Sequence, residues 1–418
     1  MKNFASRTEG IEVSLIRRMT LWAKEEKGVN FALGQGIPSF SLPKEIKEKL
    51  CRAIIELPQL NKYSCGLGDL ALRRKIASVL RKLYQVKIDF KKEILVTSGA
   101  ISGTFSTILA LIEKGDEVII FCPAYSSHIE QIKLAGGKPV FVPFLEEKNW
   151  RPDFSALEKA ISLKTKAILF SNPSNPTGFV FSKKDIEKII KIARKHDLFI
   201  ISDETYDFLT YKKKFWSLLS FKNARERSIV CFSFSKKYAM TGFRVGFLVA
   251  PFSLLKEIYK VFDEAYICAP TISQYSALLS LQIFGGKPPS QFQKEFEKKR
   301  KYTLLRLEKL KSFFQFIPPE GAYYVFPKVN FKKLNLKKIP LSLEKKVEKK
   351  MKTVSSRFQT NDLKLSLLLL FGAKVVTIPG IAFGPLGENH LRISFGGEID
   401  QIKEAFDRIE KFLLKIKK

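Results

Sequence analysis

An α/β architecture built around a mostly parallel sheet is the fold class this sequence predicts, on three observations. Short apolar runs rich in Val, Ile and Phe alternate with helix-patterned segments from about residue 90 to 250. Polar residues of unusual type stand at the ends of those runs, where ligands collect in such sheets. With 418 residues and 45% hydrophobic content, the chain can bury the core that such a sheet requires.

The strand-like runs, in order, are "EILVTSG", "EVIIFCPAY", "KPVFVPF", "KAILFSNP", "LFIISDETY", "SIVCFSFS" and "RVGFLVA". Between two of them, "SKKDIEKIIKIARKHD" sets Ile186, Ile189, Ile190 and Ala193 at the three-to-four spacing of an amphipathic helix. The pattern changes at about residue 285 to 295. Beyond it come a Lys/Glu-rich helical stretch near 290 to 312, "PPEGAYYVFP", a basic insert at about 331–362, "AKVVTIPGIAFG" and "NHLRISFGG". These features predict a large domain over 46–288 and a smaller α+β domain over 289–418, with residues 1–45 as an arm that contributes to the smaller one. The insert reads as a surface excursion.

The formal charge of +32, from 73 Lys plus Arg against 41 Asp plus Glu, raises nucleic acid, anionic membranes and acidic substrates as partners. The basic residues are spread along the chain, however, and the densest block lacks aromatic interleaving. A solvated Lys-biased surface is therefore expected, with no specific nucleic-acid or membrane partner. Five scattered cysteines without CxxC spacing suggest neither a disulfide framework nor a metal site, and the start "MKNFASRTEG" has no apolar signal run. A cytoplasmic location is expected.

The string "SFSKKYAMTGFRVG" raises a chemical question, because a lysine on a strand-end turn can condense with an aldehyde if its amine loses its proton readily. Ser233, Ser235 and Arg244 in the same string suit a phosphate. Asp203 ends an apolar strand where a lone carboxylate is costly, so it is either the partner of a cationic ring nitrogen or a helix N-cap. Asn175 sits in the proline-bracketed "NPSNPTG", which fixes an amide in space. Ser98, Gly99 and Ala100 follow a strand and can offer a hydroxyl and N–H groups to a phosphate, and Tyr125 can stack on a flat ring or serve the core.

Together "YSCGLGDLALR", "VTSGA", "PAYSSH", "NPSNPTG", "SDETY", "SFSKKYAMTGFRVG" and "HLRISFGG" resemble, in family order, the class I/II pyridoxal-phosphate-dependent aminotransferases of fold type I, the aspartate aminotransferase-like family. The resemblance runs from about residue 30 to 400. It implies the fold type I architecture, with a seven-stranded sheet in the large domain, and pyridoxal 5'-phosphate as cofactor. Lys236 then matches the lysine that carries the cofactor, Asp203 the partner of its ring nitrogen, and Tyr206 and Asn175 the donors to its ring oxygen. Arg244, Ser233, Ser98, Gly99 and Ala100 match phosphate contacts, and Tyr125 the stacking position. Tyr63 matches a tyrosine that reaches the neighbouring subunit's phosphate, which implies a homodimer with shared active sites. Arg392 matches the clamp on the substrate α-carboxylate, with Gly36 and Asn175 beside it. Lys237 falls where the family varies and reads as a flanking charge, either on the surface or just behind the site.

The implied activity is transfer of an amino group between an L-amino acid and a 2-oxo acid. Two alternatives stay open on sequence: a β-lyase acting on sulfur amino acids through the same cofactor residues, and a basic cofactor-binding regulator associated with nucleic acid. The segment Ile267–Gln274 contains no basic residue, which weighs against the best-known arrangement for a second substrate carboxylate.

Overall fold

The structure is a computed structural model describing residues 4–418. Its largest sheet is made of β1 (Ile94–Thr97), β2 (Glu117–Cys122), β3 (Lys138–Leu145), β4 (Arg151–Pro152), β5 (Thr165–Ser171), β6 (Phe199–Asp203), β7 (Ser228–Ser233) and β8 (Gly246–Val249). The spatial order is β1-β8-β7-β6-β5-β2-β3-β4. Neighbours from β7 through β3 run parallel, whereas β8 is antiparallel to both β1 and β7. The predicted seven-stranded sheet becomes 8-stranded because the two-residue β4 folds back antiparallel on the end of β3. A strand that short carries no periodicity a sequence could reveal.

The central strands have apolar, buried middles, Ala167–Phe170 in β5 and Ile229–Phe232 in β7, as strands of a parallel sheet covered on both faces require. The amphipathic segment is the helix Lys183–Lys195, begun by a capping box between Ser182 and Asp185, and it buries Ile186, Ile189, Ile190 and Ala193 as the spacing predicted.

The later part of the chain adds β9 (Phe314–Gln315), β10 (Tyr324–Val325), β11 (Lys328–Val329), β12 (Ile378–Pro379) and β13 (Leu391–Ser394). Of these, β10-β13-β12 form an antiparallel sheet and β11-β9 a two-stranded one. The apolar helix Asn361–Gly372 and the amphipathic helix Ile399–Lys415 pack behind them. The N-terminal helix Leu15–Lys24 lies close to β12, and an isolated bridge joins Asn30 to Val375.

The basic insert is more firmly held than a surface excursion. Its helix Leu341–Met351 buries Val347 against the fold, and Arg18 donates to the Thr353 carbonyl at 3.2 Å. Lys346 and Lys350 pair with Glu26 and Glu25 at the end of the N-terminal helix. Among the described residues no helix is long and apolar enough to cross a membrane.

Candidate active site

Parallel strands deliver their carboxyl ends to one edge of the sheet, and the unusual polar residues are therefore gathered there. At the end of β6, Asp203 Oδ2 lies 3.2 Å from His128 Nε2, and Oδ1 accepts from the Thr205 backbone at 3.1 Å and the Thr205 hydroxyl at 2.6 Å. The residues after Asp203 form a turn, so the helix N-cap alternative is not realised. Burial, the largest single influence, opposes ionisation of Asp203. The hydrogen bond and charge of His128, with the Thr205 bonds, outweigh it and hold the carboxyl below the usual range.

At the end of neighbouring β7, the Ser233 hydroxyl accepts from Ser235 N at 3.1 Å and starts the short helix Phe234–Lys237. Lys236 extends into the cleft, where its Nζ donates to the Gly36 carbonyl at 2.6 Å. No carboxylate pairs with it among the described residues. Burial first, then the positive charges of Arg244 and Arg392, lower its pKa to about 8. Lys237 leaves the same turn in a different setting and makes a 2.7 Å ion pair with Asp207, the side chains being 12% and 4% exposed. Of the two settings open to this flanking charge, on the surface or just behind the site, Lys237 takes the second, as an internal cation with a fixed partner.

The wall contributed by β10 and β13 carries Tyr324 and Arg392. Arg392 is buried, donates to the Gly34 carbonyl at 2.8 Å and approaches Asn175 Oδ1 at 3.5 Å. Its Nε has no partner, and its guanidinium lies 4.6 Å from the Tyr324 ring centroid. A buried guanidinium with no carboxylate partner among the described residues, and with an open donor, is set for a carboxylate. The Tyr206 hydroxyl meets that of Tyr324 at 2.6 Å. Tyr125 stands edge-on to His128, with ring centroids 5.3 Å apart.

The turn after β1 completes the site. Gly99, at φ 82°, precedes the helix Ala100–Leu111, and a Cβ there would lie 2.7 Å from Arg244 Nη2. Only glycine lets the arginine approach this helix start, where free N–H groups favour an anion. Arg244 itself adopts the left-handed backbone region, at φ 53°, a conformation that costs a non-glycine residue about 1–2 kcal/mol. Gly36 is equally constrained, because a Cβ would collide with the Tyr324 hydroxyl.

One cleft of about 560 Å³ joins most of these groups. Gly36, Ala100, Tyr125, Asn175 and Asp203 line it, as do Tyr206, Ser233, Lys236, Arg244 and Arg392. Ser98 and Gly99, which precede Ala100 in the chain, are not part of its lining, and Tyr63 is 79% exposed and outside it. Sequence reasoning missed His128 and Tyr324 as site residues, although "PAYSSH" and "PPEGAYYVFP" contain them. His128 sits one helical turn after Tyr125, a spacing that could have signalled a shared face. The lining holds Arg17, Lys24, Lys236, Arg244 and Arg392 against Asp203 as its one carboxylate. Such a surplus of cations, beside a carboxylate able to hold a protonated ring nitrogen and glycines that leave room, has the chemistry a phosphorylated pyridine aldehyde requires.

The sequence of residues 29–409 matches the family model for aminotransferase class I and II. The chain is 35% identical over 411 residues to an aspartate aminotransferase of Pyrococcus abyssi, covering 98% of each protein. It is 33% identical, with the same coverage, to the aromatic-amino-acid aminotransferase 2 of Thermococcus litoralis. In three dimensions it resembles the aspartate aminotransferase of Thermotoga maritima with a TM-score of 0.85 at 31% identity, covering 98% of this chain and 100% of that one. The aromatic aminotransferase of Pyrococcus horikoshii gives a TM-score of 0.80 at 33% identity, with coverage of 95% and 98%. Aminotransferases of this family depend on pyridoxal phosphate. A full-length family match, relatives of this similarity and a cleft with the matching donors lead to one conclusion: the chain belongs to the class I and II aminotransferases and is an aminotransferase of fold type I.

Proposed function

We propose that this cleft binds pyridoxal 5'-phosphate and uses it to move an amino group from an L-amino acid to a 2-oxo acid. The observation that carries the reading is that two cations without a carboxylate partner among the described residues, the half-buried Lys236 and the buried Arg392, line one cleft. When bound, the cofactor supplies an aldehyde that takes up the amino group and a ring that accepts electrons from Cα. Arg244, Ser233 and the N–H groups of the Gly99–Ala100 turn, with Ser98 behind them, would hold the phosphate. Asp203, oriented by His128, would keep the ring nitrogen protonated. Tyr206 and Asn175 would donate to the ring oxygen, and Tyr125 would cover the ring face.

On the substrate side, Arg392 grips the α-carboxylate with its planar fork, beside Gly36 and Asn175, and so decides which Cα bond stands perpendicular to the ring. Lys236, whose amine is about half deprotonated near pH 8, would take the proton from Cα and hold it on Nζ for return. One amine thus serves as tether, base and acid.

The same reading divides the chain into a cofactor-bearing unit over 46–288 and a smaller unit formed by 289–418 with part of 1–45. It also includes a cytoplasmic homodimer in which Tyr63 reaches the partner's phosphate. Support for the dimer is the exposed apolar set Ile54, Ile55, Tyr63 and Ile267, with Thr271 tied to the Lys62 carbonyl at 2.6 Å.

The test is a panel of acidic, apolar and aromatic L-amino acids mixed with purified, cofactor-loaded protein. Conversion of the bound cofactor's absorbance from the aldehyde-derived to the pyridoxamine form is expected with at least one of them, and a 2-oxo acid should reverse it. If no donor converts the loaded protein, the reading fails.

A further inference from the structure

The ion pair of Lys237 with Asp207 takes no part in the chemistry derived above, yet it joins the two turns on which that chemistry depends. Strands β6 and β7 pair up to Asp203 opposite Cys231, and Glu204 N still donates to the Cys231 carbonyl at 2.8 Å. Past that point the strands leave the sheet as separate turns. One carries Asp203 and Tyr206, and the other carries Ser233, Ser235 and Lys236. Among the described residues, the 2.7 Å contact of Lys237 Nζ with Asp207 Oδ2 is the one hydrogen bond between residues 204–208 and 233–238. The same carboxylate oxygen accepts from the Tyr84 hydroxyl at 2.8 Å. Tyr84 ends the helix Leu70–Tyr84 on the far side of the turns, so three separate segments converge on one carboxylate.

The surroundings are apolar and tight. Leu80, Leu83, Phe234, Tyr238, Phe247 and Leu281 enclose a cavity of about 20 Å³, room for about one water molecule. A charge left alone there would be poorly solvated, so the geometry of the pair is strongly enforced. Glu204, buried beside it, is pushed by desolvation up to about 8, and the carboxylate in contact with Lys237 is that of Asp207. The other titratable groups against the node are Tyr84 and Tyr238, both held as neutral phenols by burial and by the nearby Asp207 charge. Those sharing the cleft with Lys236 are Arg17 and Lys24 of the N-terminal helix, Arg244, Arg392, Asp203 and His128, with the phenols of Tyr125, Tyr206 and Tyr324.

We propose that Lys237 and Asp207 are positioning residues for the transfer reaction, an internal ion pair anchored by Tyr84 that locks the turn carrying Lys236 to the turn carrying Asp203 and Tyr206. The proposal rests on the reading of Lys236 as the reacting amine. A buried pair suits this task better than an apolar contact of equal volume, because a salt bridge accepts one geometry and an apolar contact accepts many.

The experiment compares Lys237→Met, Asp207→Asn, Lys237→Arg and the double variant Lys237→Met/Asp207→Leu as cofactor-loaded proteins. The readouts are kcat, KM for a donor amino acid and the pH midpoint of the bound cofactor's absorbance. Each uncharging single variant should lower kcat about 10-fold while KM, set by Arg392, stays within about 2-fold. Their absorbance midpoints should move in opposite directions, upward when a lone carboxylate remains and downward when a lone cation remains. Lys237→Arg should recover kcat to within about 2-fold of the original. The double variant has no lone buried charge and should recover the midpoint but not kcat. Full kcat in the double variant, or midpoints that move in the same direction in both single variants, would overturn the proposal. Turnover by the unaltered protein is measured in the same series and decides the underlying reading separately.

Discussion

Lys236 and Lys237 share a helical turn and differ in almost everything else. The amine of Lys236 meets a single backbone carbonyl, lies near two guanidiniums and finds no anion, which brings its pKa to about 8. The amine of Lys237 is held by a carboxylate that a tyrosine also binds. Side chains one residue apart on a helix do not face the same way, so adjacent lysines can enter unlike surroundings. A reactive lysine is an uncompensated one, and a structural lysine is a paired one.

The largest way to break this contrast is Lys236→Ala, which removes the tether, base and acid at once. Turnover should fall by about 10⁴-fold or more, while bound cofactor absorbs as the free aldehyde. Comparable turnover in that variant would return the two lysines to equal standing.

Stability should separate them in the opposite sense. In cofactor-free protein, Lys236→Met removes an unpaired cation from the cleft and should leave the urea-unfolding midpoint unchanged or raised. Lys237→Met strands the Asp207 carboxylate and should cost about 3–5 kcal/mol, as for other broken buried pairs. Equal losses would show that pairing does not distinguish the two sites.

Arg392 sharpens the comparison from the other wall, being a fully buried cation with an unpartnered donor among the described residues. Arg392→Lys keeps the charge and loses the two-pronged geometry, so KM for amino acids should rise about 10–100-fold with cofactor retention unchanged. Loss of cofactor with an unaltered KM would assign the residue elsewhere.

The smallest effect is graded with pH. In the cofactor-free protein, Lys236 releases its proton at about 8 instead of the ordinary 10.5. The rate of cofactor uptake, followed by absorbance, should rise about 10-fold per pH unit below 8 and level off above it. Between 8 and 10.5 the unfolded chain binds more protons at this lysine than the folded one. This group's contribution to stability therefore increases as pH rises through that window, because the cost of burying its charge disappears. An uptake midpoint near 10.5 would mean that the cleft does not desolvate the amine.

Local sequence was a good guide wherever the chemistry sits at the end of a strand. The strings that carry Asp203, Asn175, Lys236 and Arg244 follow apolar runs that must be buried strands, and parallel order sends their ends to one edge. The helix Lys183–Lys195 was legible from its apolar spacing. Contacts between remote segments were not legible. Tyr206 meets Tyr324 across a separation of 118 residues, and Lys237 meets Asp207 across 30; no periodicity records such meetings. The anchoring of the basic insert to the N-terminal helix was hidden for the same reason, since its charge pattern resembles that of any solvated face.

By itself, then, the sequence determined the sheet, the family and the residues able to do chemistry, because hydrophobic period and strand-end motifs are properties of short stretches. Which cation is left without an anion was decided only by tertiary structure. Burial and pairing depend on what the rest of the chain brings to each side of a turn, and at residues 236 and 237 it brings different things.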